Sequence, residues 1–356
     1  MRPVLFASNR SFSGKSSMCV GISKLLKEKG YNIGYLKPIC TLPEKVGGSY
    51  VDEDVRYIMD ILGLKDDPSN ICPLMFTEQS YDKALSEKIS SGQHNYIDNI
   101  ANALKAISKN KDIVLIESAR NFTYGSFAGI SARDISKATD AKAILIIKYV
   151  DDLVDKTIHF RDYFKDNYGG VIVNMAPFEE KDRINKLVIP AYKKFDLNFL
   201  GVVYVNKILS SISIRDMAKH LEGEILCARE NIDELVESFM VGAMGHEMAL
   251  RFFRAKPDKV VITGGDRADI QLAALETNTK CLILTGNFQP STIVLSRAEE
   301  LNVQMILVKY DTLTTVGKLN EILGRSNLHE IKKLDQLVKI ARDYLDVDKI
   351  VEIARG

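Results

Sequence analysis

The chain has 356 residues, enough for two domains with sizeable cores, and 46% of them are hydrophobic. Basic residues number 48 and acidic residues 47, so the net charge of +1 gives no general pull toward nucleic acid or an anionic membrane. The five cysteines are scattered without a Cys-x-x-Cys pair, and the five histidines lie far apart, so the spacing suggests neither a disulfide framework nor a zinc site. No apolar run reaches the roughly 18 residues of a membrane span, and the N-terminus reads as a strand, not a signal peptide. A cytoplasmic protein is expected.

In chain order, the apolar run Val4–Ser8 predicts a first strand. Ser13-Gly14-Lys15-Ser16-Ser17 follows, then a helix with apolar Val20, Ile22, Leu25 and Leu26 that stops at Gly30. Strand, loop, Gly-Lys-Ser and helix form the context of a phosphate-binding loop. Backbone N–H groups near Gly14 and the helix N-terminus would face phosphate, Lys15 would reach the terminal phosphates, and Ser16 would ligate magnesium. The usual glycine five residues before Gly14 is replaced by Asn9, and the small residue beside it is Ser8. A helix that merely begins with Gly-Lys-Ser is the bland alternative.

Further strands are expected at Ile33–Leu36, Ile113–Glu117, Ala143–Lys148, Gly170–Asn174 and Phe199–Val203. Helices are expected at Asp54–Leu62, Tyr96–Lys109, Asp151–Tyr168 and Phe178–Lys194. Short apolar runs alternating with amphipathic stretches are the pattern of a helix-covered parallel sheet. Lys37 closes the second strand, at the end where such sheets bind ligands, though a surface lysine before Pro38 fits as well. Asp52-Glu53-Asp54 opens a helix, where acids also serve as caps. Glu117 ends a buried strand, like a magnesium-holding acid. Asn174 ends another strand, either as a base-reading residue or as a turn former.

A second block begins near Leu209. Val260–Thr263, Cys281–Thr285 and Gln304–Val308 each lead into a helix, starting near Asp269, Ser291 and Thr314. Thr263, Gly264, Gly265, Asp266 and Arg267 connect a strand to a helix: the glycines permit a backbone nest, and Arg267 offers a fork of donors. A ligand site or a purely structural turn would both use them. Phe239–Met244 reads as an apolar helix whose small residues would let another copy approach closely, so a homo-oligomer is expected. The alternative is a helix packed on its own sheet. The residues from about Asn327 read as helical.

Taken together, Ser13-Gly14-Lys15-Ser16, Leu36-Lys37-Pro38, Asp54, Glu117 and Asn174 make the first block resemble dethiobiotin synthetase. With Ile71-Cys72-Pro73-Leu74-Met75-Phe76-Thr77 and Ser131-Ala132-Arg133-Asp134-Ile135, it is more similar to the N-terminal part of large phosphate acetyltransferases. The second block resembles the DRTGG domain through Val241-Gly242-Ala243-Met244, Val261 to Gln271, Leu282 to Asn287 and Val308 to Thr312. The expected fold is α/β: a P-loop parallel-sheet domain over 1–208, a smaller α/β DRTGG-type domain over 209–326, and a C-terminal helical extension over 327–356.

The resemblance implies ATP and Mg as cofactors, with Ser13, Gly14, Lys15, Ser16 and Ser17 on phosphate and Asn174 on the base. Ser16, Asp54 and Glu117 would hold the metal, and Lys15 and Lys37 would act in catalysis. A regulatory ATP-binding protein linked to acyl-phosphate metabolism is the first expectation. An ATP-dependent ligase acting on a small carboxylate, and a degenerate scaffold partner of a separate acyl-phosphate enzyme, are the alternatives. Glu117-Ser118-Ala119-Arg120 lacks the glycines that follow this glutamate in dethiobiotin synthetase. The acetyl-transferring part of the acetyltransferases would need about 300 further residues, so that activity is not expected of this stretch.

Overall fold

The computed structural model describes residues 2–41, 43–46, 49–90, 95–323 and 331–356. The chain divides into two compact units, Met1–Val205 with Leu328–Gly356, and Asn206–Asn327.

The first unit is built on six strands: β1 (Val4–Ser8), β2 (Ile33–Leu36), β3 (Ile113–Glu117), β4 (Lys142–Lys148), β5 (Tyr168–Ala176) and β6 (Phe199–Tyr204). They pair in the order β6-β5-β4-β1-β3-β2, and every pairing is parallel. β1, β2 and β3 are buried along their whole length, which is why they read as unbroken apolar runs instead of alternating ones. The parallel arrangement brings the C-terminal ends of β1, β2, β3 and β5 to one edge. Ser8, Leu36, Glu117 and Asn174 therefore lie at the same end of the sheet.

Two short pairings were not expected from the sequence. Ile39–Cys40 runs parallel to Leu74–Met75, and Pro43–Val46 runs antiparallel to Ser49–Asp52. The expected helix at Asp151–Tyr168 is shorter, Leu153–Phe164, because Tyr168 already begins β5. Phe178–Lys194 is interrupted by a π turn at Ile184–Val188, just ahead of Pro190, which lacks the N–H that a regular helix would use. The C-terminal helices Ile331–Tyr344 and Val347–Arg355 pack within this unit. Arg342 pairs with Glu28 at 2.8 Å, and the Arg2 N–H donates to the Ala354 carbonyl at 2.8 Å.

The second unit holds a five-stranded sheet: β7 (Glu224–Cys227), β8 (Ser238–Val241), β9 (Lys259–Gly264), β10 (Thr279–Thr285) and β11 (Gln304–Leu307). The order is β7-β11-β10-β9-β8, with only β7 antiparallel to its neighbour. Successive residues feed opposite cores. Val261, Leu282, Leu284 and Met305 pack on one face, and Val260, Ile262, Cys281, Ile283 and Ile306 on the other.

One expectation is corrected here. Phe239–Met244 is not a helix: Ser238–Val241 is the edge strand β8, and the next helix, His246–Arg254, starts after Gly245. Phe239 packs with one core and Met240 with the other, the two-residue period of a strand. A short apolar run looks alike in either state, and pairing with β9 decides it. The close-approach argument for an oligomer through this segment therefore falls away. No helix among the described residues is long and apolar enough to cross a membrane.

Candidate nucleotide site

The loop after β1 enters the helix Lys15–Glu28 through Gly14, whose φ of +85° lies in the left-handed region. A side chain there would be strained and would also strike Asn174, since a Cβ would come within 2.3 Å of the Asn174 Nδ2. That amide braces the loop: Nδ2 donates to the Ser13 carbonyl at 2.8 Å, and Oδ1 accepts from the Met175 N–H at 2.9 Å. Asn174, expected to contact a base, thus has both amide atoms engaged beside the phosphate loop. Ser13 is buried, with its hydroxyl donating to the Arg10 carbonyl at 2.9 Å. Ser17 is buried in the first helical turn. Asn9, in place of the usual glycine, has a buried amide oxygen with no partner among the described groups.

Lys15 is buried and donates to two neutral oxygens, Ser8 Oγ at 2.7 Å and the Arg120 carbonyl at 2.9 Å. Burial brings its pKa down to about 8, with a smaller push from Lys37, against the attraction of Glu117. Ser16 Oγ donates to Glu117 Oε1 at 2.7 Å and lies 3.5 Å from Asp54 Oδ2. The other Glu117 oxygen accepts from the Tyr35 hydroxyl at 2.7 Å. Burial raises the Glu117 pKa, opposed by Lys37 and reinforced by Asp54. Lys37 bonds Asp52 Oδ1 at 2.8 Å and Asp54 Oδ2 at 3.0 Å. Its burial works against the charge, but Asp54, Glu117 and Asp52 together hold its pKa well above the usual lysine range.

Ser13, Gly14, Lys15, Ser16, Ser17, Lys37, Asp54, Glu117 and Asn174 are thus brought together at one sheet edge. Residue-by-residue reading missed the groups that hold them: Ser8 and the Arg120 carbonyl on Lys15, Tyr35 on Glu117, and Asp52 on Lys37. Only Asp52 carried a signal, as a helix cap. It does cap, accepting from the Val55 N–H at 3.2 Å, and it binds Lys37 with the same oxygen.

In the second unit, the Thr263–Arg267 turn is closed on itself. Thr263 Oγ1 donates to the Gly242 carbonyl at 3.2 Å. The Gln271 Nε2 donates to the Gly264 and Gly265 carbonyls at 2.9 and 3.0 Å. Gly265 lies so close to Phe288 that a Cβ would come within 1.9 Å of its carbonyl oxygen. The Arg267 fork is taken by Asp269 at 2.9 and 3.0 Å, with a further bond to the Met244 carbonyl at 3.1 Å. Asp266 is exposed at the tip.

A loop of this form at the end of β1, with the Ser16 hydroxyl bonded to Glu117 of the neighbouring β3, defines a phosphate-loop α/β unit. The chain belongs to the AAA domain family, which matches residues 2–238, and it carries a DRTGG domain over residues 216–322. It is 23% identical to a phosphate acetyltransferase of Nitratidesulfovibrio vulgaris, over 96% of this chain and 50% of that protein. It is 28% identical to the ATP-dependent dethiobiotin synthetase BioD of Caldicellulosiruptor saccharolyticus, over 33% of this chain and 47% of that enzyme. The chain spans about half the length of the curated relatives it matches. Among solved structures it is similar to the CBS and DRTGG domains of the regulatory region of a Clostridium perfringens pyrophosphatase. That pair is 19% identical, covers 53% of this chain and 83% of the other, and has a TM-score of 0.29. The two domain matches and the relatives support a nucleotide-binding domain.

Proposed function

We propose that this chain binds ATP with magnesium in its first unit and serves a regulatory role in acyl-phosphate metabolism. The observation that carries the reading is the Ser16 hydroxyl, 2.7 Å from Glu117 and 3.5 Å from Asp54, one residue from the buried Lys15. These are hard oxygen donors, the set that suits Mg²⁺ beside phosphates. Ser16, Asp54 and Glu117 would hold the ion, directly or through water, and when bound it would offset phosphate charge. Among the described residues, Lys15 is a buried cation bonded only to neutral oxygens, so an arriving phosphate would supply its counter-charge. Phe12 and Arg10 are both exposed, not packed into the protein interior, which favours binding over a degenerate scaffold.

Lys37 favours regulation over ligation. A ligase would offer that ammonium to a substrate carboxylate, whereas here Asp52 and Asp54 already occupy it. The link to acyl phosphates rests on the acetyltransferase relatives and on nothing in the site itself. Calorimetry with ATP and Mg²⁺ tests the binding: a saturable heat lost in Lys15→Ala is expected, and no heat in the wild type would end the proposal. Sustained phosphate release on adding small carboxylates would replace the regulatory reading with the ligase. A symmetric oligomer remains part of the proposal, and sedimentation at micromolar concentration reads it directly.

A further inference from the structure

Beside Lys37 lies a second group of ligand atoms. Cys40, Asp52 and Cys72 each offer one, two sulfurs and a carboxylate oxygen, all within 4.8 Å of one another. Cys40 and Asp52 are buried, and Cys72 is half-buried. The backbone carrying the two cysteines is tied into a ladder. The Lys37 N–H donates to Ile71 at 2.8 Å, Leu74 to Pro38 at 3.2 Å, and Phe76 to Cys40 at 2.8 Å. The sulfurs thus meet on two segments bonded to each other, not on independent loops. Asp52 is fixed from a third direction, as the cap of the helix Glu53–Leu62. The hydrogen bonds given to its carboxylate fall on one oxygen, Oδ1.

We propose that Cys40, Cys72 and Asp52 form a binding site for a thiophilic divalent cation, zinc by its chemistry, with the fourth tetrahedral position open. Two thiolates with one carboxylate are too soft a donor set for magnesium or calcium and suit zinc. Three protein ligands with one open position are the pattern of accessible zinc sites, not of closed structural ones. In a tetrahedral site with zinc–sulfur bonds of about 2.3 Å the sulfurs stand roughly 3.8 Å apart, so only small side-chain rotations are needed here. The charge also closes: two thiolates and a carboxylate around a dication leave one negative charge, and the Lys37 ammonium lies 2.8 Å from Asp52. Binding releases thiol protons and so strengthens as pH rises. Because Asp52 is shared, an occupied site draws charge from the Asp52–Lys37 pair and leaves Asp54 as the main partner of Lys37. Metal availability would then act on the lysine beside the phosphate loop.

The test uses the full chain, reduced and stripped with a chelator, without nucleotide, so its outcome does not depend on ATP binding. It is titrated with cobalt(II) alone, and zinc(II) is then added. The expected result is a thiolate-to-cobalt charge-transfer absorption saturating at one ion per chain and bleached by zinc. Cys72→Ser, chosen because that residue is half-buried, should abolish the band and weaken zinc binding at least tenfold with an unchanged far-ultraviolet spectrum. Cys40→Ser should do the same. No band in the wild type, or a band that survives both cysteine variants, overturns the site. The two thiols are also near enough to form a disulfide. If oxidised glutathione couples them as fast with zinc as without it, the pair is a redox couple and the metal site is wrong.

Discussion

At the C-terminal ends of their parallel strands, the two units handle charge differently. In the first, Lys15, Lys37 and Glu117 are all at least nine-tenths buried, with exposures of 7%, 9% and 3%. In the second, the corresponding turn keeps its one cation, Arg267, at the surface and locks it to Asp269. Burying an ion costs several kcal/mol unless it is paired, so three buried ions at one edge call for a reason beyond stability. Lys37 and Glu117 have partners that go far toward offsetting that cost. Among the described residues, Lys15 has only a hydroxyl and a carbonyl. The second unit does bury a lysine, Lys259, but at the start of β9, where Thr277 and Asn278 accept from it at 2.9 Å. A buried charge alone is therefore not the signature. The signature is convergence at the C-terminal end of the strands with one cation left short of negative charge.

The contrast is broken or sharpened first at Lys15. Lys15→Ala removes charge-assisted bonds worth about 1.5–3 kcal/mol, a loss of roughly 10–100-fold in ATP affinity. It also removes a poorly compensated buried cation, so the melting temperature should hold or rise. Unchanged affinity with a falling melting temperature would make Lys15 a structural residue. Next comes Glu117→Gln, which can keep the bonds to Ser16 and Tyr35 while deleting the charge. The gain in ATP affinity on adding magnesium should shrink about tenfold, with magnesium-free binding unaltered. Equal losses with and without the ion would take Glu117 out of the metal set.

The pH dependence follows from the sign at Lys15, whose folded pKa of about 8 lies below the ordinary lysine value of 10.5. Below 8 both folded and unfolded chains hold the proton, and the buried charge weakens the fold. Between about 8 and 10.5 the unfolded chain binds more protons, so this residue's contribution to stability improves as pH rises. ATP affinity runs the other way, because phosphate needs the ammonium. It should fall through pH 8 by up to about tenfold per unit, while Lys15→Ala stays flat. A wild-type profile as flat as that of the variant would remove Lys15 as the phosphate partner.

What could be read from the chain follows from how local each signal is. The P-loop strand, Gly14, Lys15 and the helix after them are consecutive, so pattern alone found them. So were the buried parallel strands, whose apolar runs are unbroken. Tyr35, Ser8 and the Arg120 carbonyl escaped because their roles exist only across the sheet: Tyr35 meets Glu117 from a neighbouring strand, and a carbonyl has no residue signature. Asp52 was read as a cap because capping is local, and its bond to Lys37 is not. Phe239–Met244 was misread because a short apolar run fits both periods and the pairing with β9 decides. Cys40 and Cys72 are 32 positions apart, outside any metal-ligand spacing, and only the parallel pairing of Ile39–Cys40 with Leu74–Met75 brings them together.

The smallest effects belong to the second unit, and they test whether its turn is self-contained. Gln271 is fully buried and holds two glycine carbonyls, although its own carbonyl oxygen has no partner among the described groups. Gln271→Ala strands those two acceptors and should cost about 1–2 kcal/mol, read as faster hydrogen exchange in the helix Ala268–Leu275. Arg267→Ala removes a pair whose arginine side chain is 38% exposed, so water already screens it, and the cost should stay under about 1 kcal/mol. A turn that serves only its own backbone predicts that Arg267→Ala leaves ATP affinity within about twofold of wild type, because an exposed pair closed on its own turn has no differential contact through which to bias the first unit. A larger change would mean that the Asp269 pair is a resting state, that the Arg267 fork has another anion to bind, and that the two strand ends are alike after all.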